Sequence, residues 1–196
     1  MPLHPRSAEL TASLAKCAAG AQPWEGVAYR FVTMPYANRA DLLSGAGSRH
    51  HGGRWNPPGQ FNVIYGSLDP EAAMAESLGT YTAFGIPPEK ARPRAFVAIR
   101  LKLQSVLNLT SARVAGALKM DLADLGKEDW QAVQAVGDES TAQAIGRICW
   151  ELRLEAILAP SFRKAGAANI VLFPGRRLRG SSWKIQGARD LPKKRN

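Results

Sequence analysis

Three polar side chains between His51 and Glu76 are of types that act on ligands containing phosphate or sugar. Arg54 follows a Gly-Gly pair, which lets the backbone approach a ligand closely, and its guanidinium is a planar fork that suits phosphate. Glu76 is a lone carboxylate, which can stabilise positive charge on a sugar ring or hold a ribose hydroxyl. Tyr65, between them, can stack on a planar group. This stretch is therefore the first candidate for a functional site.

Each of these side chains also has a structural interpretation. Arg54 could bridge carbonyl groups of its own loop, Tyr65 could belong to the core, and Glu76 could be a surface carboxylate. Ser161, at the end of a predicted strand, is either a partner in the site or a serine that caps a turn. No histidine lies at a recognisable spacing from Ser161, so a serine nucleophile is not supported. The residues alone leave these alternatives open.

A long loop and a short strand precede the carboxylate. Residues 33–60 are punctuated by glycine and proline, which predicts a loop with one short helix at 37–43. A loop of this length in a compact domain is usually functional or disordered, and its aromatic and histidine content argues against disorder. Residues 61–67 form the next predicted strand.

A helix should begin at Pro70, because Asp69 is a favoured N-cap and proline is favoured at the first helical position. Glycine and proline at positions 85 and 87 should end it. Glu76 falls on a face of small residues, where a ligand could come close. The opposite, apolar face should consist of Met74, Leu78 and Tyr81.

The strand predicted over residues 27–32 carries a charged residue, Arg30. Alternation places Arg30 on the same face as Ala28 and Val32, opposite the aromatic residues of the strand. A charge in a mostly apolar strand needs a partner or water. Arg30 therefore either contacts a ligand or faces solvent from an edge strand.

The remaining elements define the fold class. Helices are predicted over 7–19 (with Ser7 as the cap), 112–118, 130–136 and 140–152. Strands are predicted over 94–103, 156–159, 169–173 and 183–186, with 106–109 either as a continuation of the first or as a second short strand. Strands and helices do not alternate regularly, which favours an α+β domain with a mixed sheet and flanking helices over a doubly wound sheet. No P-loop, Rossmann, metalloprotease or nucleophile-elbow motif occurs.

Composition restricts the class of protein. The formal net charge of +10 favours an anionic ligand or partner, and the charge is concentrated towards the C-terminus. No apolar run is long enough to span a membrane, and we expect no signal peptide. The two cysteines, Cys17 and Cys149, are far apart in the sequence, so we expect neither a metal cluster nor a disulfide framework. Two free cysteines are typical of a cytoplasmic protein.

Five motifs occur in an order that resembles the RES-domain family: GGRWNPPG, IYGS, an AxxE helix, APSFR and NIVLF. The family is named for an arginine, a glutamate and a serine, which match Arg54, Glu76 and Ser161. An arginine in the family's first strand and a tyrosine match Arg30 and Tyr65. The resemblance covers about residues 27–175.

The resemblance implies a toxin of a bacterial toxin–antitoxin pair, with a fold similar to that of ADP-ribosyltransferases. NAD would be its substrate, with no further cofactor. The expected partner is an antitoxin of the Xre type, and a homodimer within that complex is a further expectation; neither direct DNA binding nor a membrane is expected. The expected catalytic residues are Arg54, Tyr65, Glu76 and Ser161, and the expected NAD-binding residues are Arg30, Arg54, Trp55, Tyr65 and Asn169.

The chemistry of these side chains fits such a reaction. Arg54 and Arg30 would bind the pyrophosphate, and Tyr65 would stack on the nicotinamide. Cleavage of the nicotinamide–ribose bond builds positive charge on the ribose, which Glu76 would stabilise. Ser161 would hydrogen-bond the ribose or orient Glu76. Inorganic phosphate or water would then attack.

Two other functions stay open. The same site could transfer ADP-ribose to a protein, as in a mono-ADP-ribosyltransferase. The basic charge could instead mark a nucleic-acid-binding module, although a lone carboxylate in a phosphate-binding cleft repels a nucleic-acid backbone. With the RES-domain resemblance we expect a helical extension over residues 1–24, a RES-like NAD-binding domain over 25–187 and a basic tail over 188–196.

Overall fold

Six strands and eight helices form the part of the chain that the computed structural model describes, residues 1–83, 87 and 94–193. The strands are β1 (Gln22–Thr33), β2 (Ile64–Ser67), β3 (Arg94–Asn108), β4 (Ala156–Pro160), β5 (Ala168–Leu172) and β6 (Ser182–Ile185). The helices are α1 (Ser7–Ala18), α2 (Arg39–Leu42), α3 (Ala46–His51), α4 (Pro70–Ala83), α5 (Ala112–Leu118), α6 (Leu122–Lys127), α7 (Trp130–Ala135) and α8 (Thr141–Glu151).

The strands are hydrogen-bonded into one sheet in the order β1-β2-β5-β4-β3-β6. Because β1 also pairs with β3 along its length, five strands close into a ring. β6 pairs with the middle of β3 on the edge opposite β1, and β4 pairs with the last part of β3 on that same edge. β3 and β4 run parallel, and the other pairs in the described chain are antiparallel. This arrangement confirms the predicted α+β class with a mixed sheet.

Each face of the sheet buries its own apolar cluster. One face carries residues such as Ile64 and Ile170, and the other, which we call the helical face, carries Tyr65 and Val171 and packs against α1, α5 and α8. Neighbouring residues divide between the two clusters because side chains alternate along a strand. The helical face is the one that positions the candidate site.

Helix α8 fixes the position of the glycine-rich loop. Its N-terminus carries a capping box, in which the hydroxyl of Ser140 accepts from the amide of Gln143 while the side chain of Gln143 accepts from the amide of Ser140. The side-chain amide of Gln143 also donates to the carbonyl of Gly53, at 3.2 Å. One turn further along, Gly146 lies directly against the backbone of Trp55. The turn that carries Arg54 is therefore packed onto a buried helix.

A buried ion pair ties the N-terminal segment to α8. The guanidinium of Arg147 donates to Glu139 at 2.7 Å and to the hydroxyl of Ser7 at 2.9 Å. The amide of His4 donates to the same glutamate. Ser7 is thus a partner of Arg147, and the prediction that it caps α1 is wrong, since Arg6 occupies the N-cap position without a side-chain hydrogen bond.

α1 also contributes to the core. Its buried residues Leu10, Leu14 and Cys17 belong to the cluster on the helical face. β1 begins at Gln22, so the boundary expected between residues 24 and 25 falls inside a strand. Cys17 and Cys149 are both buried and free.

Most predicted elements are present, and the differences have physical causes. α3 and α6 were not predicted, because both are short and cross stretches rich in glycine or acidic residues. Met74 is 45% exposed whereas Ala72 and Ala73 are buried, so the apolar face predicted for α4 is wrong. The small residues face the sheet because they allow the helix to approach it closely. The helix was expected to run to about Ala83, where α4 ends. The side chain of Tyr81 and the closing glycine at position 85 lie outside the described residues.

None of the described helices combines the length and the apolarity needed to cross a bilayer.

Candidate functional site

Glu76 lies at the centre of the site. It is on α4, and its oxygen Oε1 accepts two hydrogen bonds, from the hydroxyl of Ser161 at 2.8 Å and from the side-chain amide of Asn169 at 2.8 Å. The three residues come from a helix, the end of β4 and the middle of the sheet. Two donors on one oxygen fix the carboxylate in a single orientation, so its negative charge has a defined position.

Ser161 can donate only to Glu76. The serine follows β4, where its amide donates to the carbonyl of Ala167. Its hydroxyl oxygen accepts from the amides of Arg163 at 3.3 Å and Lys164 at 3.2 Å. Because a hydroxyl has one proton and two lone pairs, these amides leave only the proton, which goes to the carboxylate. Ser161 therefore orients Glu76.

The side-chain oxygen of Asn169 is a buried acceptor that receives no hydrogen bond from the described residues. Asn169 of β5 is opposite Ser67 of β2, which is opposite Tyr29 of β1. The three side chains therefore share the helical face of the sheet. While the amide nitrogen of Asn169 donates to Glu76, its oxygen Oδ1 is buried and accepts no hydrogen bond from the described residues. A buried acceptor without a donor costs free energy. A ligand hydroxyl next to Glu76 could supply that donor.

Arg54 is held at the edge of the same site. Its Nη1 donates to the carbonyls of Leu125 at 2.6 Å and Glu128 at 3.4 Å, and its guanidinium lies 4.9 Å from the centre of the Phe162 ring. The arginine thus bridges carbonyls, but those of α6 and of the residue that follows it, not those of its own loop. Nε and Nη2 make no hydrogen bond within the described part of the chain, which leaves them for a ligand.

Burial and charge act in opposite directions on Arg54. Partial burial lowers the pKa of its guanidinium, and the nearby carboxylate of Glu76 raises that pKa again. The guanidinium of Arg163 is also close enough to lower the pKa of Arg54 by repulsion. The carboxylate of Glu128 also raises the pKa of Arg54, so two carboxylates partly offset the effects of burial and of Arg163.

Tyr65 braces the turn. Its hydroxyl accepts from the amide of Trp55 at 3.0 Å and donates to the side-chain oxygen of the buried Asn56 at 2.7 Å. Burial raises the pKa of the phenol above its ordinary value. A β-carbon at Gly53 would lie 2.5 Å from the hydroxyl, which is why the residue before Arg54 is a glycine. The ring is half-buried against the core, so the phenol holds Arg54 in place through the backbone.

Two residues expected to bind NAD lie elsewhere. Trp55 is 3% exposed and belongs to the core of the helical face, so its ring has almost no surface to offer a ligand. Arg30 lies on the opposite face of β1 from Tyr29, and its guanidinium donates to the carbonyl of Leu42. Burial lowers the pKa of Arg30 to about 10. The structure does not bring either residue to Glu76.

The sequence analysis missed Arg163 and Phe162. Both are on the turn that follows Ser161, where Phe162 lies under Arg54 and Arg163 lies against Gly79 of α4. A signal was present, since Gly79 is one helical turn beyond Glu76 on the face of small residues. It could not be interpreted without knowing which segment crosses that face.

Tyr65→Phe should lower the free energy of unfolding by about 1–3 kcal/mol, because it leaves the amide of Trp55 and the oxygen of Asn56 buried without a partner. Urea denaturation would measure the change. Tyr36→Phe is the matched control, since Tyr36 is 64% exposed, and it should leave stability within error. Equal stabilities for the two variants would show that the Tyr65 hydroxyl does not brace the turn.

Comparisons with known proteins identify the family to which the chain belongs. The profile of the RES domain matches residues 27–193, so the chain belongs to the RES-domain family. The NAD(+) phosphorylase MbcT of Mycobacterium tuberculosis is 31% identical over 157 residues, which are 79% of this chain and 76% of that protein. The NAD(+) phosphorylase MbcT of Mycobacterium bovis gives the same values.

A solved structure shows the same fold. In the crystal structure of the M. tuberculosis MbcT–MbcA toxin–antitoxin complex, one chain matches with a TM-score of 0.69 and 26% identity. The match covers 90% of this chain and 91% of that chain. The family membership expected from the motifs is thus confirmed.

Proposed function

We propose that this protein is a toxin that consumes NAD by transferring its ADP-ribosyl group from nicotinamide to inorganic phosphate. The observation that carries the proposal is the Glu76 carboxylate, which Ser161 and Asn169 fix at 2.8 Å each within the field of Arg54. Membership in the RES-domain family and the NAD(+) phosphorylase relatives support this reaction.

Glu76 would act on the ribose that carries nicotinamide. When the bond between the ribose carbon and the nicotinamide nitrogen breaks, its electron pair neutralises the pyridinium ring and positive charge develops on the sugar. A carboxylate held in one orientation stabilises that charge without having to reorganise. The oxygen Oδ1 of Asn169 would accept a hydrogen bond from a ribose hydroxyl, which satisfies the buried acceptor.

Arg54 would bind the pyrophosphate. Its Nε and Nη2 are the donors left after Nη1 has bonded the carbonyls of Leu125 and Glu128. A guanidinium already fastened at one nitrogen loses little freedom when it binds a phosphate oxygen. The net charge of +10 would also favour the approach of an anionic substrate.

The test is to incubate the purified protein with NAD, with and without inorganic phosphate, and to identify the products by mass. We expect free nicotinamide and ADP-ribose phosphate, formed only when phosphate is present. ADP-ribose carrying oxygen from labelled water would show hydrolysis instead, and a mass increase on added protein would show an ADP-ribosyltransferase. Unchanged NAD under all conditions would refute the proposal.

We also propose an antitoxin as the partner that restrains this activity, on the basis of the toxin–antitoxin complex that contains the structural relative. An antitoxin of the Xre type, a homodimer within the complex and a cytoplasmic location stay predictions. Co-purification of the chain with the product of a neighbouring gene, followed by loss of NAD cleavage in the complex, would test the partnership.

A further inference from the structure

The guanidinium of Arg163 lies over the face of α4 that carries Glu76. A β-carbon at Gly79 would be 2.7 Å from Nε and 2.9 Å from Cζ of this arginine. Gly79 is one helical turn beyond Glu76, and residues at this spacing are neighbours on a helix surface. A group bound by Arg163 would therefore lie beside the sugar on which Glu76 is proposed to act.

Arg163 is exposed, and its side chain makes no hydrogen bond or ion pair with any described residue. The adjacent Lys164 differs, because it is paired with Asp69 at 2.9 Å and with Glu71 at 2.7 Å. Arg163 is instead near a like charge, because Arg54 lies over the ring of the adjacent Phe162 and repulsion from Arg163 lowers the pKa of Arg54. A multiply charged anion would stabilise two guanidinium groups that are near each other.

Arg54 and Arg163 differ in burial and in hydrogen bonding, and these differences indicate which ligand each would bind. Arg54 is half-buried and fastened to the carbonyls of α6 and of the residue that follows it, which suits the pyrophosphate of a bound dinucleotide. Arg163 is on the solvent side, which suits a small ion that must enter and leave in every turnover. We infer that Arg163 binds the inorganic phosphate that accepts the ADP-ribosyl group and so selects phosphorolysis over hydrolysis. This inference rests on the proposed function.

The transfer of ADP-ribose from nicotinamide to hydrogenphosphate needs no further reactant. An unprotonated oxygen of hydrogenphosphate forms the bond to the ribose carbon as the bond from that carbon to the nicotinamide nitrogen breaks. The electron pair of the broken bond neutralises the pyridinium, and nicotinamide leaves as a neutral molecule. Arg163 contributes binding and position, and no proton passes to the protein.

Arg163→Gln should raise the KM for inorganic phosphate by about tenfold or more, because it removes a charge-assisted contact to the ion. The KM for NAD at saturating phosphate should stay within about twofold, because a twofold change is well under 1 kcal/mol. Arg163→Lys should recover part of the affinity, since it restores the charge without the fork. Arg179→Gln is the control for charge alone, because Arg179 is exposed and distant in sequence from the site.

Gly79→Ala supplies a second variant that leaves the charge in place. Its β-carbon would displace the far end of the Arg163 side chain, which can move at little cost. The KM for phosphate should rise, while alanine in a helix should stabilise the fold slightly. A thermal melt accompanies the kinetics to show that the variant is folded.

A binding measurement separates this inference from the proposed function. Inorganic phosphate at constant ionic strength should raise the Tm of the wild-type protein and raise that of Arg163→Gln much less. This comparison decides the inference even if NAD is not consumed, which would refute the proposed function alone. A rise in the KM for NAD instead of phosphate, or the same phosphate response in both proteins, would overturn the assignment.

Discussion

Glu76→Gln should reduce the rate of NAD cleavage by about 10²- to 10³-fold while the protein stays folded. The substitution removes the negative charge that is proposed to stabilise the ribose in the transition state. It keeps an oxygen that can accept from Ser161 and Asn169, so the hydrogen bonds that orient the side chain persist. The release of nicotinamide, followed at saturating NAD and phosphate, measures the loss.

Glu71→Gln is the matched control for this substitution. Glu71 is on the same helix, its side chain is 80% exposed, and its only described ion pair is with Lys164 on the surface. It should therefore keep wild-type activity. Full activity in Glu76→Gln, with a melting curve like that of the wild type, would remove Glu76 from the mechanism and with it the proposed reaction.

Gly146→Ala should be the most destabilising small substitution in the described chain, at about 3 kcal/mol or more. A β-carbon there would lie 1.8 Å from the carbonyl oxygen of Trp55 and 2.7 Å from its carbonyl carbon. Both contacts are to backbone, so neither α8 nor the turn can relieve them by rotating a side chain. Activity should fall with stability, because the displaced turn carries Arg54.

Gly116→Ala tests whether the effect comes from the contact or from the residue type. Gly116 is also a helical glycine, in α5, but a β-carbon there would meet nothing within 4 Å. Helix propensity alone should then stabilise the protein by up to about 1 kcal/mol. Urea denaturation of the two variants compares them directly, and similar stabilities would contradict the close packing of α8 on the turn.

The elements of the site were predictable where local chemistry decides them. Asp69 accepts from the amide of Ala72 at 2.8 Å, as an N-cap does, and α4 begins at Pro70. Ser140 caps α8 in the same way. In such cases the signal is contained in four neighbouring residues, so no knowledge of the tertiary structure is needed.

The orientation of side chains was less predictable, because it depends on what packs against each face. Trp55 resembles a ligand-stacking residue in sequence but fills the core, and Arg30 lies on the face of β1 away from Glu76. Arg163 belongs by sequence to the basic C-terminal region, but the turn after β4 brings it against Gly79 of α4. Each of these outcomes is decided by a contact between segments far apart in the chain.

The position of β5 in the sheet determines when the candidate site is assembled in a newly made chain. β2 pairs with β5 from Ile64 opposite Leu172 to Ser67 opposite Asn169, so the partners of Glu76 are synthesised long after the helix that carries it. Ribosomes add about 5–20 residues per second, and pairing between distant strands then takes about milliseconds to seconds. A growing chain therefore holds no assembled site until its C-terminal strands have been released. Under the proposed function, a chain that is still being synthesised would therefore not yet consume NAD.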